Sequence, residues 1–302
     1  MKLLITGATG LIGSEIVRIC AQKQLVVHYL TISKEKLEKT DTTQGFYWNP
    51  MNQEIDVNCL NGVDTIINLA GASISKRWTH AYKKEILQSR MLSVQLLYKT
   101  LSENKHQVKN VVSASAIGIY PSSFSEMYNE TSKAVSNSFL GSVVSAWETE
   151  VDTFANLGLS VCKLRIGMVL SKKGGALEKM AQPIRLRFGA ALGSGNQWQS
   201  WIHIDDIARL FLYAIENNLS GVYNAVASEV VTNKALTKAI ASTLKKPLWL
   251  PKVPSFVLKL VLGEMASLVL ESQQVQNSKI LETGFVFKYD VLKKALRDCL
   301  SQ

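Results

Sequence analysis

The chain has 302 residues, enough for one large domain with a smaller one appended, and 47% of them are apolar, a proportion that excludes a disordered chain. A net charge of +10 invites a nucleic-acid partner, but the pairs Lys172-Lys173, Lys245-Lys246 and Lys293-Lys294 lie far apart and are not interleaved with aromatic residues. A solvated basic surface that attracts anionic small molecules is expected instead, with no nucleic acid bound. In chain order, residues 2–6 read as a buried strand that runs directly into Gly7, Gly10 and Gly13, and Leu11, Ile12, Ile16, Val17, Ile19 and Cys20 then recur at helical spacing. Gly7 and Gly10 allow a sharp turn and close approach to a pyrophosphate, Gly13 allows the helix to pack on the strand, and the helix N-terminus supplies free N–H groups. Three glycines alone are a weak signal, and an ordinary strand-to-helix turn has the same letters. The position directly after a strand is what points to a dinucleotide cradle.

Further strands are expected at 26–31, 45–48, 65–69, 110–114 and 160–164, separated by helical patterns that include 82–102 and 142–157. Such alternation implies an α/β fold, a Rossmann-like, doubly wound parallel sheet over residues 1–170, completed by a strand near 221–226. After Arg165 the texture changes. Gly174, Gly175, Gly189, Gly193 and Gly195 punctuate a loop-rich stretch, a helix is expected at 205–217 with Asp205 as its N-cap, and helical segments dominate from Thr232 onward. Residues 171–302 therefore read as a smaller, mainly helical C-terminal region. Its most apolar stretch, 256–270, is broken by Lys259, Gly263 and Glu264, so no membrane span and no membrane partner are expected. The first residues do not read as a signal peptide. Cys20, Cys59, Cys162 and Cys299 lack metal or disulfide spacing, and His28, His80, His106 and His203 are scattered; the expectation is a cytoplasmic protein without a metal.

The string Thr6-Gly7-Ala8-Thr9-Gly10-Leu11-Ile12-Gly13, with Asn68-Leu69-Ala70-Gly71 and Ser113-Ala114-Ser115-Ala116, resembles the extended short-chain dehydrogenase/reductases of the NAD(P)-dependent epimerase/dehydratase group. Arg77-Trp78, Lys84-Glu85, Ser89-Arg90, Trp147-Glu148, the run 174–177, Gly193-Ser194-Gly195, the run 201–206 and the run 262–266 narrow the resemblance to the subgroup called epimerase family protein, which carries its own C-terminal domain. The matches span nearly the whole chain. The resemblance implies that Thr9, Gly10, Leu11 and Ile12 line the pyrophosphate, and that Thr31, Ile32 and Ser33 meet the adenosine ribose. Ile32 stands where relatives tend to carry an Arg that grips a 2′-phosphate, and no carboxylate stands at the strand end for a free 2′-hydroxyl. Lys34 with Ser33 can replace that charge, so NADP is expected, with NAD as the alternative. Leu69, Ala70 and Gly71, together with Glu85, Arg90 and Val169, match positions that touch the cofactor. For Arg90 a surface ion pair is the competing expectation.

For catalysis the resemblance offers Ser115 at the position of the family serine, which polarises a substrate oxygen. The usual Tyr-x-x-x-Lys pair is missing: residues 129–150 hold no tyrosine and only Lys133. Tyr120 is the candidate stand-in acid, against a packed loop tyrosine with a wet hydroxyl. Arg77-Trp78 either closes over nicotinamide or packs at a helix start, His203 braces a loop rather than reacts, and Arg165 anchors a carboxylate of the protein or of a substrate. Two functions follow as expectations: an oxidoreductase or epimerase acting on the hydroxyl or carbonyl of a small molecule, or a dinucleotide-binding sensor or regulator that has lost catalysis.

Overall fold

Residues 1–301 are described by a computed structural model, in which β1 (Lys2–Thr6), β2 (Val26–Thr31), β3 (Thr43–Asn49), β4 (Glu54–Ile55), β5 (Thr65–Asn68), β6 (Asn110–Ala116) and the strands Ser160–Ile166 and Gly221–Ala225 form one sheet. From one edge to the other the order is Gly221–Ala225, Ser160–Ile166, β6, β5, β1, β2, β3, β4, and every pairing is parallel except that of β4 with β3. Strands covered on both faces carry continuous apolar runs, and here Leu3, Leu4, Ile5, Ile66, Ile67 and Val111 are fully buried. The chain leaves β1 toward β2 and β3, then returns to place β5 on the other side of β1. That reversal opens a crevice at the C-terminal ends of β1 and β5, where ligands bind in such sheets.

The crevice is framed by three helices, two of which start on a short polar capping side chain. α1 (Leu11–Gln22) leaves the glycine turn, α2 (His80–Glu103) is capped by Thr79, and α3 (Phe139–Asp152) is capped by Ser138. A second core gathers Leu177 and Ala181 of α4 (Ala176–Arg185), Leu236 and Ile240 of α6 (Asn233–Thr243), and Leu296 of the last helix, Leu292–Leu300. Among the described residues, no helix is long and apolar enough to cross a membrane.

Several boundaries move for identifiable reasons. β5 stops at Asn68, not Leu69, because the N–H groups of Leu69 and Ala70 both donate to Thr6 Oγ1 at 3.0 Å and so leave the ladder. β6 and the following strand run longer than expected, to Ala116 and Ile166, which puts Ser115 and Arg165 inside strands. α3 starts earlier and ends at Asp152, followed by a 3-10 turn (Thr153–Leu157) that closes on Gly158 at φ +74°. Asp205 is not the N-cap of α5 (Ile204–Glu216). His203 is, its Nδ1 accepting from the Asp205 N–H at 3.2 Å.

Candidate functional site: a dinucleotide crevice

At the mouth of the crevice it is the backbone itself that comes to the surface. Gly7 sits at φ +68°, and a Cβ there would lie 2.9 Å from the Leu69 carbonyl oxygen; a Cβ on Gly13 would lie 2.3 Å from the Gly7 oxygen. Gly10 caps α1 without any side-chain hydrogen bond, and Thr9 and Gly10 are exposed, so the first N–H groups of α1 face outward without an acceptor from a capping side chain. Leu11 and Ile12 are half-buried, with Leu11 reaching Gly175 of the loop before α4.

Opposite this turn the loop after β5 is held by a polar ladder at the strand ends. Thr6 Oγ1 donates to Asn68 Oδ1 (2.9 Å), Asn68 Nδ2 donates to Ser113 Oγ (3.0 Å), and Ser113 donates to the Ala114 carbonyl (3.0 Å). Sequence reading missed this ladder, although each member is the polar residue closing an apolar run. It fixes Leu69, Ala70 and Gly71 beside the glycine turn. Arg90 lies behind Gly71, where a Cβ would come 3.0 Å from its guanidinium carbon. Its Nη1 donates to the carbonyls of Ile86 (2.8 Å) and Ala72 (3.3 Å), and the group stacks over Trp147 at 5.2 Å. The competing expectation, a surface ion pair, is not met: among the described residues Arg90 has no carboxylate partner, and burial pushes its pKa down to about 10. A half-buried cation without a counter-charge beside the crevice suits an anionic ligand.

The remaining expected contacts are spread along the same edge. Thr31 is buried and its Oγ1 accepts from the Ser33 N–H at 3.2 Å; Ile32 is 69% exposed; Lys34 is exposed, with its Nζ 5.1 Å above the Tyr47 ring. Val169 lies in the short strand Met168–Leu170, in register with Ile202, and Glu85 is exposed on α2. Trp78 is a packing residue, its Nε1 donating to the Ile74 carbonyl and its ring edge-on to Phe139, while Arg77 is exposed.

Ser115 and Tyr120 do not stand free in the crevice. Ser115 is 3% exposed and its hydroxyl donates to Glu148 Oε1 at 2.5 Å. Glu148 is clamped by Arg165 through Nε–Oε1 and Nη2–Oε2 contacts of 2.8 Å each; burial alone would raise its pKa, but the Arg165 hydrogen bonds and charge hold it below the usual carboxylate range. Arg165 thus anchors a carboxylate of the protein. The hydroxyl of Tyr120 is not wet. It is fully buried, donating to Asn224 Oδ1 (2.8 Å) and accepting from Arg165 Nη1 (2.9 Å), with its ring stacked on Tyr128. α3 offers no replacement, since Leu140 lies against Gly118 and Val144 packs with Tyr120.

His203, Asp298 and Cys299 bring possible ligand atoms within 4.8 Å of one another. With Nδ1 accepting from the Asp205 N–H, the neutral ring carries its proton on Nε2, which faces Asp298 Oδ2 at 3.2 Å, off the hydrogen-bonding angle. The nitrogen nearest the carboxylate therefore has no lone pair to give, and burial pushes the thiol up to about 12. The arrangement is a helix cap whose ring lies tilted against Tyr289.

A glycine turn, an open helix N-terminus and an unpaired Arg90 at a topological switch point fit a dinucleotide phosphate. Residues 3–226 match the family described as NAD dependent epimerase/dehydratase, and residues 253–299 match a domain of unknown function, DUF1731. The chain belongs to the NAD dependent epimerase/dehydratase family. It is 38% identical over 299 residues to an epimerase family protein of Staphylococcus saprophyticus, covering 98% of each chain. Among solved structures it is similar to human epimerase family protein SDR39U1 (isoform 2) with NADPH, at a TM-score of 0.86 and 28% identity over the whole of both chains. A nucleoside-diphosphate sugar epimerase from Corynebacterium glutamicum matches at a TM-score of 0.78 and 26% identity, over 98% of this chain and 57% of that one. The chain is accordingly an extended short-chain dehydrogenase/reductase with an NAD(P) site, and sequence and structure agree on a Rossmann-like α/β fold.

Proposed function

We propose that this protein is an NADP(H)-binding sensor or regulator in which the redox chemistry of the family has been lost. One observation carries the reading: the two hydroxyls available for proton transfer, those of Ser115 and Tyr120, both donate inward, to Glu148 and to Asn224. A nicotinamide cofactor supplies or takes a hydride when bound, and the protein must then move a proton at the substrate oxygen. Here the donor hydrogens are committed to a buried network, and the α3 residues against Tyr120 and Gly118, Val144 and Leu140, are apolar. What supports NADP over NAD is Lys34 with Ser33 at the end of β2, where no carboxylate faces the ribose, together with the NADPH in the human relative's structure. The second reading, an oxidoreductase or epimerase acting on a small hydroxyl or carbonyl compound, draws on Ser115 at the end of β6.

Fluorescence titration followed by a turnover assay against a panel of carbonyl compounds separates the two. NADPH is expected to bind more tightly than NADH by about tenfold, with Lys34→Ala removing most of the difference, and bound NADPH is expected to persist unoxidised. Oxidation that Ser115→Ala abolishes while NADPH affinity is kept would establish the enzyme. Equal affinity for NADPH and NADH would move the cofactor to NAD.

A further inference from the structure

From α6 through the segment 248–253 to α7 (Ser255–Leu262) the chain carries charge of a single sign. Residues 230–263 contain no Asp or Glu but six lysines, Lys234, Lys238, Lys245, Lys246, Lys252 and Lys259. None of the six is in an ion pair among the described residues. Lys234, Lys238 and Lys252 converge with Ser194 and Thr237 on an open cavity of about 360 Å³ that has Leu248 on its apolar wall. Like charges gathered without a counter-ion favour an anion between them.

The same region exposes large apolar side chains. Trp249 is 64% exposed, Phe256 71%, Leu260 80% and Val261 67%, and Phe188, beyond the end of α4, is 64% exposed. Trp249 follows Leu248 of the cavity wall, Phe188 precedes Gly189, and α7 starts three residues after Lys252. The Gly193 N–H donates to the Val253 carbonyl, the Val253 N–H donates to the Ala191 carbonyl, and a Cβ on Gly189 would come within 2.9 Å of Leu248. In α7, Phe256 and Leu260 stand one turn apart on an exposed face that also carries Lys259, while Leu258 is buried. Large apolar side chains exposed this close together in the chain mark an interaction site.

The charge decides the occupant. An isologous contact between two copies would press lysines against the same lysines. A nucleic acid would stack on Trp249 and Phe256, but Leu260 and Val261 give bases nothing to stack on. An anionic bilayer satisfies both halves of the surface, since apolar side chains enter the headgroup boundary while lysines meet lipid phosphates. We propose that this face docks on an anionic membrane surface, with a lipid phosphate in the cavity of Lys234, Lys238 and Lys252 and with Trp249, Phe256 and Leu260 in the headgroup layer. Such docking departs from the expectation of no membrane partner, which rested on the lack of a spanning segment, because peripheral binding needs no membrane-spanning helix.

The test is flotation of the full chain with phosphatidylcholine vesicles, alone or containing about one-third phosphatidylglycerol, at low and high salt. The protein should float with the anionic vesicles only, and high salt should weaken binding. The double variants Lys234→Glu/Lys238→Glu and Phe256→Ser/Leu260→Ser should each cut partitioning by at least about tenfold, with melting temperature and NADPH affinity unchanged because all four side chains are exposed. Failure to float at low salt overturns the proposal. So does undiminished flotation of the Phe256→Ser/Leu260→Ser protein, which would mean charge adsorption alone. A dimer in light scattering that the same double variant dissociates would assign the face to a second copy.

Discussion

Gly10 and Gly13 are three residues apart in the same turn and are required for different reasons. Gly13 is buried, and any Cβ there runs into the Gly7 carbonyl at 2.3 Å, a clash with backbone that cannot move aside. Gly10 is exposed at φ −78°, its nearest obstacle the Gly7 oxygen at 3.2 Å, a tight contact that a shift of a few tenths of an ångström relieves, so a side chain there disturbs the protein itself far less than one at Gly13. Gly10→Val is therefore expected to abolish dinucleotide binding with a melting temperature close to wild type, whereas Gly13→Val should fail to fold. Calorimetric titration beside thermal melts distinguishes these outcomes, and unchanged NADPH affinity in Gly10→Val would sink the cradle. The glycine pattern was legible because it is local: three positions in seven residues, right after a strand. The state of Arg90 was not, because sequence does not reveal that its neighbours are the Ile86 carbonyl one turn back in α2, the Ala72 carbonyl and the Trp147 indole rather than a carboxylate.

Elements begin and end where side chains take over backbone hydrogen bonds, and α5 shows how that choice can titrate. Its cap is the neutral His203 ring, whose Nδ1 accepts from the Asp205 N–H. Burial lowers the pKa of His203, outweighing the opposing pull of Asp298, so the unfolded chain takes up a proton first as pH falls. The cap's contribution is full above the unfolded value of about 6.5 and is lost as pH drops from there through the folded pKa. Urea midpoints should accordingly fall between about pH 7 and pH 5, and His203→Asn, which keeps a capping oxygen that does not titrate, should show a shallower slope. Some slope will remain, because buried His28 is shifted in the same direction for the same reason. An unaltered slope in the variant would remove His203 from the acid response. Asp205 looked like the cap because Asp is a preferred capping residue. The short strand Trp201–His203, paired with Met168–Leu170, delivers the chain into α5 two residues earlier than that preference suggested.

For the molecule as a whole, the sheet is not finished when the first 170 residues end. α5 packs on α1, and Gly221–Ala225 pairs with Ser160–Ile166, so a fragment of residues 1–170 would leave an apolar helix face and a central strand edge bare. Such a fragment should show no cooperative thermal transition by circular dichroism, unlike the full chain. A sharp melt would make the first 170 residues an independent folding unit. The lysine-rich stretch from 230 to 263 can be counted in the sequence, but only the fold brings Lys234, Lys238 and Lys252 to one cavity.

By itself the sequence determined what depends on near neighbours: the strand–glycine–helix cradle, the alternation that makes a parallel sheet, the strand at 221–225, and the absence of a tyrosine–lysine pair. Periodicity and backbone freedom act over a few residues, so a string of letters records them. The tertiary structure decided the fate of the reactive groups. Ser115 meets Glu148 across 33 positions, Glu148 meets Arg165 across 17, and Tyr120 meets Asn224 across 104. Those partners are chosen by strand register and helix docking. A hydroxyl that reads as available in the sequence is therefore spoken for once β6, α3 and the strand Ser160–Ile166 are brought side by side.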